Sequence, residues 1–429
     1  MNNKKVELLS PAGNLEKLKI AIKYGADAVY AGVSHFSLRI RAGKEFTFET
    51  FKEGIDYAHA RGKKVYATIN GFPFNSQIEL LKKHIATMAA LEPDGFIVAA
   101  PGVVKLCREI APQIDIHLST QANVLNYLDA QVFWDMGVKR IVVAREISLK
   151  DVIEIKKHLP DMEIEIFVHG SMCFAYSGRC LVSAVQMGRV PNRGSCANDC
   201  RFEYTLYAAN EDHSTLFRLE EEPGVGTYIF NSKDMNLASH IKEILDSGAV
   251  DSLKIEGRTK SPYYAAVTAK AYRNAIDDYY DGKFEASKYQ RELYTTKNRG
   301  FTDAYLIHRP FEKTDSQNHD YALSKGSYEV TGLVTQDEEH FLCKYKVYPN
   351  EDIEIFTPMG EELVECENEI GKIFKKDGIY YINFKKILTE TNKELESVHS
   401  GNVNKIKLPG TLPYLTMFRI ENVDGTIVE

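Results

Sequence analysis

The sequence predicts an α/β fold: a (β/α)8, TIM-like barrel with a cysteine-bearing insertion, followed by a small all-β, β-barrel-like C-terminal domain. Three observations carry this. An amphipathic helix, a glycine turn and a short β-branched strand recur along about the first 260 residues. Eight strand-like runs fall in that length, as a barrel requires. The last hundred or so residues switch to turn-broken alternation with no long helical period.

Taken in order, Asn14 caps a helix bearing Leu15, Leu18 and Ile22, and Gly25 closes it ahead of Ala28–Gly32. Phe133 to Gly137 leads into Arg140–Ala144, and Ile244 to Gly248 into Asp251–Ile255, in the same way. Repeated helix–Gly–strand units put parallel strands inside and helices outside. The pattern predicts strands at Val6–Ser10, Ala28–Gly32, Val65–Asn70, Gly95–Ala99, Asp115–Gln121, Arg140–Arg145, Glu163–His169 and Asp251–Glu256, with Tyr228–Ser232 as a candidate extra. No Gly-x-Gly-x-x-Gly turn follows the first, which sets an open dinucleotide-binding sheet behind the barrel. The expected domains are a catalytic barrel at 1–280, including a Cys-rich insertion at about 170–226, a helix and linker at 281–326, and the β domain at 327–429. Within the insertion, Asn210–Gly226 is expected to be a solvated hairpin or loop.

Of 429 residues, 44% are apolar and 26% charged, which excludes disordered, collagen-like and coiled-coil classes. Neither a secretion signal nor a membrane span is expected, so the chain is read as cytoplasmic. A net charge of −7, from 53 basic and 60 acidic residues, argues against DNA binding by bulk charge. It leaves room for a structured RNA held by a local basic patch.

Seven cysteines are too few for a disulfide scaffold. Cys107, Cys343 and Cys366 are scattered, whereas Cys173, Cys180, Cys196 and Cys200 fall within 28 residues. Structural zinc favours paired Cys-x2–4-Cys knuckles, and here the last pair alone qualifies. Loose, unequal spacing suits a [4Fe–4S] cluster better, with one cysteine per iron; zinc and four ordinary buried cysteines stay open as alternatives. Arg179, Arg189, Arg193 and Arg201 surround the group, against Asp199 and Glu203. A peptidase is weakly supported. His169 lies four residues before Cys173, but Gly170-Ser171-Met172 is not a hydrolase nucleophile elbow and no His-Glu-x-x-His occurs.

Barrel chemistry sits at the carboxyl ends of the strands. Ser10, Asn70, Thr120, Gln121, Arg145, His169, Glu256 and Arg258 collect there, and the cysteines begin directly after His169.

The stretch Glu165-Ile166-Phe167-Val168-His169-Gly170-Ser171-Met172-Cys173, continuing through Phe174-Ala175-Tyr176-Ser177-Gly178-Arg179-Cys180, closely resembles the diagnostic segment of the collagenase-like peptidase family of unassigned catalytic type, the thirty-second of the U series. Leu8 to Gly13, Asn192 to Cys196, Asn231 to Asp234 and Lys254 to Arg258 resemble further blocks, so that the likeness covers about residues 5–310. The resemblance implies more than proteolysis. Better-understood members are iron–sulfur hydroxylases: one branch makes 5-hydroxyuridine at the tRNA wobble position, one hydroxylates a ribosomal RNA cytidine, and one serves ubiquinone synthesis. Prephenate accompanies these reactions as the small anionic co-substrate. The family's cluster ligands map onto Cys173, Cys180, Cys196 and Cys200; no cysteine lies between 200 and 343, so Cys200 is the local candidate for the fourth.

One barrel plus a β-rich tail looks most like the tRNA-modifying branch. The expected function is a prephenate-dependent tRNA wobble-uridine hydroxylase. The alternatives are a collagenase-like peptidase and a non-catalytic iron–sulfur partner. In the hydroxylase reading Arg145, Lys254 and Arg258 clamp carboxylates or phosphate, with Gln121 as a further substrate contact. His169 or Glu256 moves protons, Tyr176 and Phe174 stack a flipped base, and the tail grips tRNA.

Overall fold

In a computed structural model the protein is described over residues 5–33, 36–37, 46–173, 175–191, 195–202, 204–209, 216–219, 231–308, 316–318 and 326–421. All eight predicted barrel strands form: β1 (Glu7–Pro11), β2 (Ala28–Ala31), β3 (Lys64–Ile69), β4 (Gly95–Val98), β5 (Asp115–Leu118), β6 (Arg140–Val142), β7 (Glu163–Ser171) and β8 (Ser252–Ile255). Neighbours pair in parallel from β1 to β7, and β8 closes the ring by pairing with both β1 and β7. Short β-branched runs buried on both faces are what a sheet lined inside and covered outside demands.

Helices α1 (Leu15–Lys23), α2 (Phe48–His59), α3 (Ile78–Ala89), α4 (Pro101–Ile110), α5 (Tyr127–Asp135) and α6 (Leu149–His158) fill the first six crossovers. Asn14 caps α1 as predicted, its side chain accepting from the Lys17 amide at 3.0 Å. After the insertion's short α7 (Val182–Met187) come α8 (Ile241–Asp246), α9 (Pro262–Tyr280) and α10 (Ala286–Leu293). The main core lies between strands and helices. A separate group, Leu9, Ala28, Tyr30, Tyr66 and Ile97, forms its own small apolar cluster.

Two details depart from the sequence reading. An extra strand forms at Asp234–Asn236, antiparallel to the end of β7; of the candidate at Tyr228–Ser232, residues 228–230 lie outside the described residues. The expected linker also joins the sheet, because Phe301–Thr302 pairs with Asp234–Met235. The preceding Arg299 is tied to Asp234 by a buried ion pair and donates to the Ser232 carbonyl at 3.0 Å. Of Asn210–Gly226, residues 216–219 are described, pairing with Leu206–Ala209 as an antiparallel hairpin.

The tail is an eight-stranded antiparallel sheet around its own core, which includes Phe341, Ile353, Ile382, Phe384 and Phe418. It sits against α1, α9 and α10. The Tyr24 hydroxyl donates to the Phe356 and Leu415 carbonyls at 2.9 and 3.0 Å, and Arg419 pairs with Glu292 and Glu354. Among the described residues no helix is long and apolar enough to cross a membrane.

Candidate active site at the carboxyl end of the barrel

The loops after β1 and β8 interlock. A Cβ on Gly13 would sit 2.2 Å from the Arg258 carbonyl oxygen, so the bare backbone of Pro11-Ala12-Gly13 is what lets the two loops meet. Arg258 then points across the mouth, donating through Nη1 to Ser37 Oγ at 2.8 Å and Thr68 Oγ1 at 3.1 Å. Arg145, after β6, pairs with Glu256 at 3.0 Å and lies 3.8 Å from the Phe167 ring centre. Lys254 is one layer deeper: Nζ donates to Glu165 at 2.7 Å, with both side chains nearly inaccessible. Burial lowers the Lys254 pKa against the pull of Glu165. Burial also opposes ionisation of Glu165, but Lys254 and Arg140 outweigh it and hold the carboxyl below its usual range.

The cysteine excursion is seated on this mouth by specific contacts. The Ser177 amide and hydroxyl donate to the Glu146 carboxylate at 2.9 and 3.1 Å. Gly178 adopts φ +73°, and a Cβ there would lie 2.4 Å from the Gln121 carbonyl oxygen. The Ala197 amide donates to Ser183 Oγ at 3.1 Å, joining the two halves of the excursion.

As a result Cys173, Cys180, Cys196 and Cys200 all line one cavity of about 150 Å³ with Arg145, Lys254, Glu256 and Arg258. Cys173 is exposed and the other three half-buried. Burial pushes the Cys180 and Cys200 thiols up, and neighbouring thiols add to the effect; Cys200 feels all three others. Among the described residues no three His, Cys, Asp or Glu side chains stand at single-ion spacing. Tetrahedral zinc would need sulfurs within about 4 Å of one another at a bond length of about 2.3 Å. Four soft donors around a wider shared space are a set that a multinuclear iron–sulfur group could use.

Of the predicted residues, Gln121, Arg145, Tyr176, Lys254, Glu256, Arg258 and the four cysteines meet at this cavity, joined by Asn70 and Thr120. Gln121 is 5% exposed and its Nε2 has no hydrogen-bond partner, leaving a buried donor at the cavity. Tyr176 is 62% exposed on the rim. Ser10 is fully buried and does not reach the lining. Phe174, Arg193 and Glu203 lie outside the described residues.

His169 is placed differently from the sequence expectation. The pairing of β7 with β8 shifts register between Lys254 and Ile255, which sets His169 opposite the core residue Ile255. Its ring packs against Tyr264, Tyr272 and Phe301, with Nδ1 3.4 Å from the Tyr272 hydroxyl. Burial pushes its pKa down to about 3. It lines neither this cavity nor the neighbouring one. No residue pattern announces such a shift.

The sequence reading also missed Glu146, the clamp on Ser177, although it directly follows Arg145. It missed Tyr305, Ser148 and Asp151 as well. These line a second cavity, of about 380 Å³, that shares Arg145, Met172, Cys173, Tyr176 and Ser177 with the first.

Residues 13–316 match Peptidase family U32. The chain belongs to Peptidase family U32. The family blocks quoted above therefore have structural counterparts: the Gly13–Arg258 interlock, the seated excursion and the Asp234–Arg299 pair. A relative from Helicobacter pylori, tRNA hydroxylation protein P, is 64% identical over 416 residues, 97% of this chain and 99% of its own. The 23S rRNA 5-hydroxycytidine C2501 synthase of Escherichia coli is 33% identical over 277 residues, 65% of this chain and 40% of its own. The Collagenase of Porphyromonas gingivalis is 29% identical over 392 residues, 88% of this chain and 87% of its own.

Proposed function

We propose that this U32 protein hydroxylates the wobble uridine of tRNA to 5-hydroxyuridine, with prephenate as co-substrate and a [4Fe–4S] cluster as cofactor. The observation that carries the reading is the meeting of four cysteines and the cationic barrel-mouth residues at one cavity. The names of the H. pylori and E. coli relatives support an RNA hydroxylation.

Cys173, Cys180, Cys196 and Cys200 would hold the cluster, which when bound supplies one-electron chemistry. Arg258 and Lys254 bind the carboxylates of the small anion, and the buried Gln121 Nε2 adds a neutral donor. Glu256 keeps Arg145 aimed across the mouth and holds or passes a proton there. Tyr176, on the rim, stacks the extruded base, since a ring carbon cannot be reached inside a stacked loop. The Collagenase relative offers a peptidase alternative, but His169, next to the cysteines in sequence, packs away from the cavity and gives Cys173 no base.

Two measurements test this. Anaerobically purified protein should carry about four irons and matching acid-labile sulfide per chain. Nucleosides from a deletion strain should lose 5-hydroxyuridine and its derivatives, and regain them with this gene. Iron-free protein that resists reconstitution, or unchanged tRNA, ends the proposal.

A further inference from the structure

The two neighbouring cavities differ in charge. Among the described residues, and apart from its cysteines, the inner one presents Arg145, Arg201, Lys254 and Arg258 against a single carboxylate, Glu256. The outer one presents the same Arg145 against two carboxylates, Glu146 and Asp151. An anionic co-substrate is drawn to the first and repelled from the second. The outer wall is also rich in acceptors. Glu146 already takes donors from Ser177, and Asp151 takes the Ser148 hydroxyl at 2.5 Å. A carboxylate accepts and never donates, so this wall suits a neutral ring with an N–H on its edge. Two exposed aromatic rings, Tyr176 and Tyr305, stand at the opening.

Resting on the hydroxylase reading above, we propose that the outer cavity is the chamber for the extruded pyrimidine and that Tyr305 is its second stacking platform. The inner cavity is left to the small anion. Met172 and Cys173 belong to both linings, so a ring in the outer chamber lies against the Cys173 side of the cysteine group. Uracil, whose N3 carries a proton, can donate to the carboxylate wall. Tyr305 follows Phe301–Thr302, which the Asp234–Arg299 pair anchors to the barrel, and its neighbours Ala304 and Leu306 are buried, so its position is fixed by buried contacts rather than by the cysteine loop.

The test uses full-length, anaerobically purified protein and synthetic anticodon stem-loops carrying uridine or an abasic site at the wobble position. Wild type should prefer the uridine loop over the abasic loop about a hundredfold, two base–aromatic stacks worth about tenfold each. Tyr305→Ala should cut the preference over the abasic loop about tenfold, to that of the Tyr176 stack alone, and Tyr305→Phe should keep it. Both should bind prephenate within twofold of wild type and melt at the wild-type temperature, because Tyr305 is exposed. A Tyr305→Ala protein that keeps the wild-type preference, or that loses prephenate affinity instead, overturns the assignment. So does a wild type that restores 5-hydroxyuridine in a deletion strain yet binds the uridine and abasic loops alike. A wild type that restores none overturns the hydroxylase reading itself.

Discussion

The two ends of the barrel interior hold similar residues and use them in opposite ways. At the amino end Arg140 bonds three carboxylates: Glu7 at 2.5 Å, Glu163 at 2.6 Å and Glu165 at 3.0 Å. Tyr66 and Ser252 donate to Glu7 as well, at 2.7 and 3.1 Å. At the carboxyl end, among the described residues, Arg145 has one carboxylate, Glu256, and Gln121 Nε2 is buried without a partner. Buried polar groups satisfied all round rigidify a core, whereas those left open are held ready for something else. Lys254 links the regimes: its buried ammonium is anchored on Glu165, and the residue also lines the cavity.

The largest expected effect falls on the open end. Replacing Cys173, Cys180, Cys196 or Cys200 with Ala should lower 5-hydroxyuridine in complemented cells by at least about 100-fold, with bleaching of the purified protein. The barrel's unfolding free energy should move by no more than about 1 kcal/mol, because the excursion lies outside the barrel's core. Four variants that modify tRNA normally would show that the cysteines are ordinary side chains.

The closed end should respond in the reverse sense. Glu165→Gln keeps the shape but removes the charge that faces both Arg140 and Lys254, and breaking a buried pair costs about 3–5 kcal/mol. Urea unfolding reads this directly. A loss below about 1 kcal/mol would mean that the network is not closed and that the contrast between the ends is false.

How much of this was legible follows from what each feature depends on. Strands and helices of the barrel answer to local period and capping, as Asn14 shows, so all eight strands and the helices ending near Gly25, Gly137 and Gly248 could be placed from the residues. The cysteine group was legible because its members are close in the chain. What decided the rest was tertiary. The register shift beside Lys254 and Ile255 turned His169 into the aromatic packing, and a shift has no residue signature. Glu146 and Tyr305 matter because of what folds over them. Phe301–Thr302 fell within the expected linker because a strand two residues long is too short to show alternation.

His169 supplies an intermediate effect. Its folded pKa of about 3 lies below the ordinary value of about 6.5. Between these the unfolded chain binds a proton that the native state refuses, so stability falls as pH drops from 6.5 towards 3 and is unaffected above. At pH 5 the loss from this residue is about 2 kcal/mol. His169→Phe should flatten that part of the stability–pH curve relative to wild type. Unchanged curvature would place the histidine in solvent, contrary to its packing against Tyr264, Tyr272 and Phe301.

The smallest expected effect concerns how the open end is covered. Gly178 holds a left-handed backbone, where any other residue loses about 1 kcal/mol, and its Cα faces the Gln121 carbonyl with no space for a Cβ. Backbone on both sides cannot yield, so in Gly178→Ala the excursion must lift from Gln121 while Ser177 stays clamped by Glu146. Global unfolding should change by about 1 kcal/mol or less, since no core contact is lost. Limited proteolysis should show the difference instead, with cleavage inside 175–202 several-fold faster than in wild type and the barrel fragment intact. Equal cleavage rates would mean that the excursion is not seated on the mouth, and the cavity shared by cysteines and cations would lose its roof.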